Sequence, residues 1–244
     1  MTLGHMMSRT NVEPLPFASS MKVSVSAVAL CFDGQQLCVL LRESEGGHPP
    51  SLPIRPYLAH RSIHDVAAES LADMGVQGFR GLKHVDAFEP AKTSDASLEL
   101  VTLSVCKPLA SIARGDKPVE SPGLKLSSGA TWIPLSRLES MTSVVRPRVD
   151  GALSSLRQKA RFESVAFDFL DQEFSLSELQ RVFEAILGKT IDVRNFRKKI
   201  ESLDILVESS TKPRGMAYRP PRLFRFDLEK FQRRVAMDGE IRFF

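Results

Sequence analysis

One short segment of this 244-residue chain fixes the start, the end and the buried face of a helix. Ser175 is followed three residues later by Glu178, the spacing of a capping box, in which both side chains bond free backbone N–H groups at a helix start. The apolar residues that follow recur on one helical face: Leu176, Leu179, Val182, Phe183, Ile186 and Leu187. Gly188 predicts the end, because glycine adopts the left-handed backbone of a helix C-terminus without steric penalty.

A second helix is predicted immediately afterwards. Asp192 can accept hydrogen bonds from its first free N–H groups. The apolar stripe of this helix contains Val193, Phe196, Ile200 and Leu203. A different face, mostly cationic, carries Arg194, Arg197, Lys198 and Glu201. Two helices joined by a short turn are typical of DNA-binding motifs, whose second helix enters a major groove.

The next two apolar runs, residues 205–207 and 223–226, flank a basic loop that contains glycine and proline, residues 212–221. Two strands around a cationic loop make a wing, so we expect a winged helix-turn-helix domain over residues 173–230. Between Lys189 and Arg234 there are 13 Lys and Arg residues against 6 Asp and Glu residues, whereas the whole chain has a net charge of +4. The local positive charge favours a polyanionic partner; the alternative is the solvated surface of a small helical domain.

Composition places the chain among ordinary globular proteins, with 43% hydrophobic and 25% charged residues. There is no apolar run of transmembrane length and no basic segment followed by an apolar one at the N-terminus, so we expect a cytoplasmic protein without membrane association. Cys31, Cys38 and Cys106 lie in apolar runs without C-x-x-C spacing, which favours buried reduced thiols over disulfides or zinc. Residues 1–20 lack periodicity and predict a flexible arm.

The front of the chain, residues 21–148, predicts a mixed α/β sandwich. Two apolar runs flank Asp33 and Gly34, a pair typical of a two-residue hairpin turn. Residues 63–74 show helical spacing up to Gly75, and three further strands are expected at residues 82–88, 98–106 and 130–134. We expect a linking helix at residues 149–172 and a tail at residues 231–244.

This layout resembles a Nudix domain. The Nudix signature is G, five residues, E, seven residues, then R-E-U-x-E-E-x-G-U, where U is a bulky aliphatic residue. Anchoring its closing glycine on Gly75 places Ala68 at its arginine, and Glu69, Ala72 and Asp73 at its core glutamates. Nudix hydrolysis needs several carboxylates to hold divalent cations on a pyrophosphate. With Ala68 and Ala72 in the box, we expect no catalytic residues, no metal site beyond the remnants Glu69 and Asp73, and no required cofactor.

A Nudix-like domain followed by this winged helix resembles the Nudix-related transcriptional regulators of the NrtR type. The resemblance is carried by residues 173–188, by Arg194-Asn195-Phe196-Arg197-Lys198-Lys199 and by residues 219–225. It implies a homodimeric repressor of NAD biosynthesis or salvage genes that binds a palindrome-like operator in double-stranded DNA. ADP-ribose or a related nucleotide, such as NAD or ATP, is the implied effector. Some relatives regulate sugar catabolism instead.

The DNA contacts are expected on the second helix and around the wing. Arginine can bond guanine, and asparagine adenine, through two hydrogen bonds. The candidates are Arg194, Asn195, Arg197 and Lys198 on the helix, Arg219 and Arg222 at the wing, and Ser177, Lys189 and Thr190 for phosphates. Asn195 has an alternative role in local helix capping.

Arg42 and Arg55 are candidates for contact with the phosphates of an effector, because both precede the helix of the Nudix-like box. Two alternative functions remain. The first is an active Nudix pyrophosphohydrolase that acts on ADP-ribose-like nucleotides. The second is an interaction module whose winged helix binds protein or RNA.

Overall fold

The computed structural model describes residues 22–43, 49–58, 60–76, 79–88, 97–106, 126–127, 129–140, 144–210 and 221–244. The predicted arm and most of the predicted wing loop, residues 212–221, lie outside the described residues. In the front half the elements are β1 (Lys22–Phe32), β2 (Leu37–Arg42), β3 (Ile54–Pro56), α1 (Ile63–Asp73), β4 (Phe79–Phe88), β5 (Ser97–Cys106), β6 (Ala130–Pro134) and a 3-10 helix (Leu135–Ser140). The second half contains α2 (Val145–Phe162), a 3-10 helix (Ser164–Phe169), α3 (Leu176–Leu187), α4 (Val193–Leu203), β7 (Leu206–Glu208), β8 (Phe224–Phe226) and α5 (Leu228–Asp238).

The front half is a mixed sheet between two helical layers, which confirms the predicted α/β sandwich. The strand order is β4-β5-β1-β2-β6, with β3 paired to β1, and only β1 and β5 run parallel among these described pairings. Successive side chains of a strand point to opposite faces. On one face Ala27, Ala29 and Cys31 pack with α1; on the other, Val28 and Leu30 pack with α2.

The connection between β1 and β2 is four residues long, so the prediction of a two-residue turn is wrong. Phe32 pairs with Leu37, which leaves residues 33–36 in the turn. The Asp33 carboxylate accepts the backbone N–H groups of Gln35 and Gln36, both at 2.8 Å, and Gly34 has a φ of 99°. Aspartate thus acts through its side chain and stabilises a wider turn than the Asp-Gly pair alone predicts.

The predicted linking helix differs from the observed one. It begins earlier, at Val145, and ends at Phe162, after which Glu163 is extended with φ −109° and ψ 160°. A separate 3-10 helix follows instead of further α-helix. The break has a packing reason, because the 3-10 helix turns Phe167 and Phe169 into the core, where both are buried.

The predicted tail contains most of a helix and part of the core. The Asp227 carboxylate accepts the N–H of Lys230 at 2.9 Å and begins α5. Phe231 is the one buried residue of this helix. A helix that buries so little has no apolar stripe for the sequence to show. Beyond it, Ile241 and Phe243 are buried.

The winged helix forms as predicted. Both hydrogen bonds of the capping box between Ser175 and Glu178 are present, and Gly188 ends α3 with a left-handed φ of 66°. Asp192 caps α4. Strands β7 and β8 pair antiparallel at the base of the wing, and Phe174 bridges to Phe224 beside them.

The two halves share one hydrophobic core, which runs from the sheet through α2 into α3 and α4. Two hydrogen bonds reinforce the junction. Arg157 of α2 donates to the carbonyl of Ile186 near the end of α3, with a distance of 3.0 Å from Nε to oxygen. Arg181 of α3 donates to the carbonyl of Gly34 in the β1–β2 turn, with 2.9 Å from Nη1 to oxygen. Helix α2 therefore connects the two halves by packing as well as by sequence.

The three cysteines are free and buried. Burial raises the pKa of Cys106 to about 12, and a hydrogen bond with Cys38, together with burial, raises the pKa of Cys31. The thiols of Cys31 and Cys106 are therefore protonated at neutral pH. Among the described residues, no helix combines the length and the apolar character that a bilayer crossing requires.

Candidate nucleic-acid interface and effector site

Helix α4 presents an exposed polar face at its N-terminal half. Phe196, Ile200 and Leu203 are buried and hold the helix against the core. The opposite side exposes four predicted contact residues, Arg194, Asn195, Arg197 and Lys198. The cap is Asp192, whose carboxylate accepts the backbone N–H of Asn195 at 2.8 Å. Because Asp192 satisfies this N–H, capping does not require the amide side chain of Asn195.

A groove of about 280 Å³ lies between the start of α3, helix α4 and the base of the wing. Ser177, Arg197 and Arg222 line it. Arg222 lies 3.7 Å from Glu208, measured from Nε to Oε1, and both side chains are mostly exposed. An exposed pair at this distance is weak, so Arg222 can exchange its partner for a phosphate at little cost. Arg219 lies outside the described residues.

Lys189 and Thr190 lie in the turn between α3 and α4, and both are exposed. They line a shallow groove of about 330 Å³ together with Gln35 of the β1–β2 turn and Arg181. The front half therefore reaches the helix-turn-helix motif at this point. The positions of Lys189 and Thr190 are consistent with phosphate contacts beside α4.

The remnant carboxylates of the Nudix-like box are bound by arginines. Nε of Arg55 lies 3.0 Å from Oδ2 of Asp73, and its Nη1 lies 3.6 Å from Oε2 of Glu69. Arg61 bonds the other oxygen of Glu69, which raises the pKa of Arg61 above its ordinary value. Arg55, expected to meet an effector, is thus placed in ion pairs within the box.

This donor set does not fit a divalent cation well. Nudix chemistry needs several carboxylates to bind metal, whereas the core box has only two, Glu69 and Asp73, and both are paired with arginines here. In the part of the chain that the structure describes, no group of three or more His, Cys, Asp or Glu side chains is arranged to hold a metal.

Arg42 lies at the exposed end of β2, and its backbone pairs with Ser51.

The structure also shows a polar cluster that the sequence patterns missed. Glu99 of β5 is only 5% exposed and bonds Ser26 of β1 and Arg148 of α2. The Arg148 Nε lies 2.7 Å from Oε1 of Glu99, and its Nη2 bonds Oε2. A pocket of about 220 Å³ lies beside this cluster. The sequence does carry one sign of this cluster. Alternate residues of β5 share a face, so Glu99 lies on the same face as the buried Val101 and Leu103.

The ionisation of Glu99 follows from these contacts. Burial alone raises the pKa of a carboxyl group, but hydrogen bonds from Arg148 and Ser26 and the guanidinium charge outweigh it. The pKa of Glu99 is therefore below its ordinary value, and that of Arg148 is above its own. The pair is ionised at neutral pH and has no net charge.

Comparison with known proteins supports both halves of this description. Residues 166–226 match the family model of the NrtR DNA-binding winged helix domain. The "ADPR responsive transcriptional repressor NtrR" of Acinetobacter baylyi is 29% identical over 80 residues, which are 33% of this chain and 32% of the relative. The match therefore spans about a third of the relative's length.

Solved structures share the fold over most of the chain. The crystal structure of Shewanella oneidensis NrtR complexed with a 27mer DNA has a TM-score of 0.65 at 23% identity and covers 86% of this chain and 95% of that one. Shewanella oneidensis NrtR without DNA has a TM-score of 0.64 at 22% identity, with coverages of 90% and 97%. A MutT/nudix family protein from Enterococcus faecalis has a TM-score of 0.57 at 18% identity, with coverages of 86% and 89%.

Fold and site together define a class of protein in which a Nudix-like α/β sandwich is joined to a C-terminal winged helix. Residues 166–226 match the NrtR DNA-binding winged helix domain, and the chain shares the fold of Shewanella oneidensis NrtR over most of its length.

Proposed function

We propose that this protein is a transcriptional repressor that binds operator DNA through its winged helix and responds to a nucleotide sensed by its Nudix-like domain. The observation that carries the proposal is the exposed polar face of α4 within a winged helix of the NrtR family. Arg194, Asn195, Arg197 and Lys198 would contact bases and phosphates in the major groove. Ser177, Lys189, Thr190, Arg219 and Arg222 would bind the backbone on either side.

A homodimer is part of the proposal. Two copies of α4 related by a two-fold axis would meet half-sites about one helical turn apart, or a multiple of it, on a palindrome-like operator. The target genes would be those of NAD biosynthesis or salvage. ADP-ribose, which is NAD without its nicotinamide, is the effector we favour, because the matched Acinetobacter relative is named as responsive to it.

The first test is a gel shift with DNA from upstream of the chain's own gene and of NAD biosynthesis genes. Arg197→Ala is expected to weaken binding about 10-fold or more, since a bidentate base contact contributes about 1–3 kcal/mol. Arg233→Ala, which removes an exposed arginine from α5 in the same domain, is the matched control and should bind like the wild type. Equal affinity of all three proteins, or no preference for these fragments, would contradict the proposal.

We further propose that the Nudix-like domain senses nucleotides without hydrolysing them, because arginines occupy its remnant carboxylates. Incubation with ADP-ribose and Mg²⁺ or Mn²⁺ should yield no AMP above the protein-free reaction, measured by chromatography. An active Nudix ADP-ribose pyrophosphatase serves as the positive control. Robust turnover that disappears in Glu69→Gln would establish the hydrolase alternative instead.

A further inference from the structure

The buried ion pair between Glu99 and Arg148 joins the sheet to the helix that connects the two domains. Glu99 lies on β5, whereas Arg148 lies in the first turns of α2. Both carboxylate oxygens are occupied, Oε1 by Ser26 and Arg148 and Oε2 by Arg148. Nη1 of Arg148 also donates to the carbonyl of Val144, just before the helix. A charged contact therefore adds to the burial of Val145 and Val149 in holding the beginning of α2 to the sheet.

This contact forms part of the wall of the pocket of about 220 Å³ described above. The other walls are largely apolar and include Pro50, Leu52 and Val145. Ile54 and Val144, which also line it, are 52% and 59% exposed. Because pockets for whole drug-sized ligands are about 300 Å³ or more, this one fits a planar part of a nucleotide better than a complete dinucleotide.

Helix α2 extends from this pocket to the winged helix. Arg157 lies nine residues after Arg148, or about 13 Å along the helix at 1.5 Å per residue. It donates to the carbonyl of Ile186, two residues before Gly188 ends α3. Since buried residues from Val145 to Ala160 place one face of α2 in the core shared by both halves, a displacement of its first turns is transmitted to the end of α3.

We propose that the Glu99–Arg148 pair couples occupancy of this pocket to DNA binding. A nucleotide group that donates hydrogen bonds, such as an amino or hydroxyl group, would engage Glu99 and take an oxygen now bound by Arg148. The first turns of α2 then lose this charged contact with the sheet, and α2 shifts against α3. A ligand can shift an equilibrium only by its different affinities for two states, and the exchange of partners at Glu99 supplies that difference. This inference rests on the proposed function.

The test compares two double variants of the full-length protein. Glu99→Gln/Arg148→Met removes both charges of the pair while retaining similar side-chain volumes, a change that buried ion pairs often tolerate. The matched control, Arg146→Met/Asp150→Asn, removes an exposed ion pair of 2.8 Å on the same helix. Affinity for an operator fragment is measured by fluorescence anisotropy with and without ADP-ribose at fixed salt, and thermal melting confirms folding.

In the wild type and the control, ADP-ribose should change DNA affinity by about 10-fold, a usual size for coupling between sites. The Glu99/Arg148 variant lacks the bond that the ligand breaks, so without ligand it should bind DNA with the affinity of the ligand-bound wild type, and ADP-ribose should change that affinity less than about twofold. A full response in this variant would overturn the coupling and leave the repressor proposal intact. A wild type that binds no promoter DNA would reject the repressor itself, and one that binds DNA but ignores ADP-ribose would overturn the coupling together with the effector.

If the double variant fails to fold, the single variant Glu99→Gln is used to test the coupling. Its amide keeps an oxygen that can accept from Arg148 but removes the charge. A change in DNA affinity on addition of ADP-ribose that is at least threefold smaller than in the wild type supports the proposal. An unchanged response with unchanged DNA affinity overturns it.

Discussion

Replacing Phe183 with alanine is expected to lower the free energy of unfolding by about 3–5 kcal/mol, the usual cost of removing a buried aromatic ring. Phe183 has no exposed surface and lies at the centre of the winged-helix core. Its ring centroid is 5.1 Å from that of Phe244, 5.5 Å from Phe243 and 6.0 Å from Phe196. The substitution therefore leaves a cavity where α3, α4 and the C-terminal residues meet.

Urea unfolding followed by circular dichroism measures this loss. Val207→Ala is the control, since Val207 is 45% exposed on β7 and its truncation should change stability by no more than about 0.5 kcal/mol. Because the core is continuous with the front half, the transition of Phe183→Ala should shift for the front half as well. A loss below 1 kcal/mol would mean that the aromatic cluster contributes little to the fold.

DNA affinity is expected to fall about 10³-fold between 50 and 200 mM salt, provided that the protein neutralises about six phosphates. The proposed dimer has enough exposed cations around α4 for six phosphates, because each subunit presents five: Lys189, Arg194, Arg197, Lys198 and Arg222. The logarithm of affinity should decrease with the logarithm of salt concentration at about −0.9 per phosphate contact.

The same titration measures how much an individual cation contributes to the slope. Arg222→Ala should reduce the magnitude of the slope by about one for each subunit bound, since it removes a phosphate contact. Arg233→Ala on α5 should leave the slope unchanged. A flat titration of the wild type would contradict binding through the phosphate backbone, whatever the affinity at one salt concentration.

Lowering the pH is expected to remove the stabilising contribution of the buried Glu99–Arg148 ion pair. The folded-state pKa of Glu99 is below that of the unfolded chain, so its contribution to stability is present above the unfolded value of about 4.3 and is lost as the pH falls through the folded value. The coupling experiment therefore belongs at neutral pH, where the ion pair is fully formed.

The sequence was most informative where short-range interactions decide the structure. The capping box of Ser175 and Glu178, the cap at Asp192 and the left-handed Gly188 involve residues at most a few positions apart, and all three formed as predicted. The apolar periodicity of α3 and α4 then determined which side of each helix is buried, and hence which cations are exposed. The winged helix and its cationic face therefore follow from the sequence alone.

Tertiary structure decided the features that join distant segments. The 3-10 helix after α2 and the C-terminal residues enter the shared core through Phe169 and Phe243, although the sequence predicts a continuous linking helix and a tail. The ion pairs of Arg55 with residues 14 and 18 positions later, and of Glu99 with a residue 49 positions later, have no local pattern. A charged side chain finds its partner only after the sheet and helices have packed, because burial and proximity are then fixed together. The sequence thus determined the winged helix, whereas packing alone decided which arginines pair with Glu69 and Asp73 and how the two domains are joined.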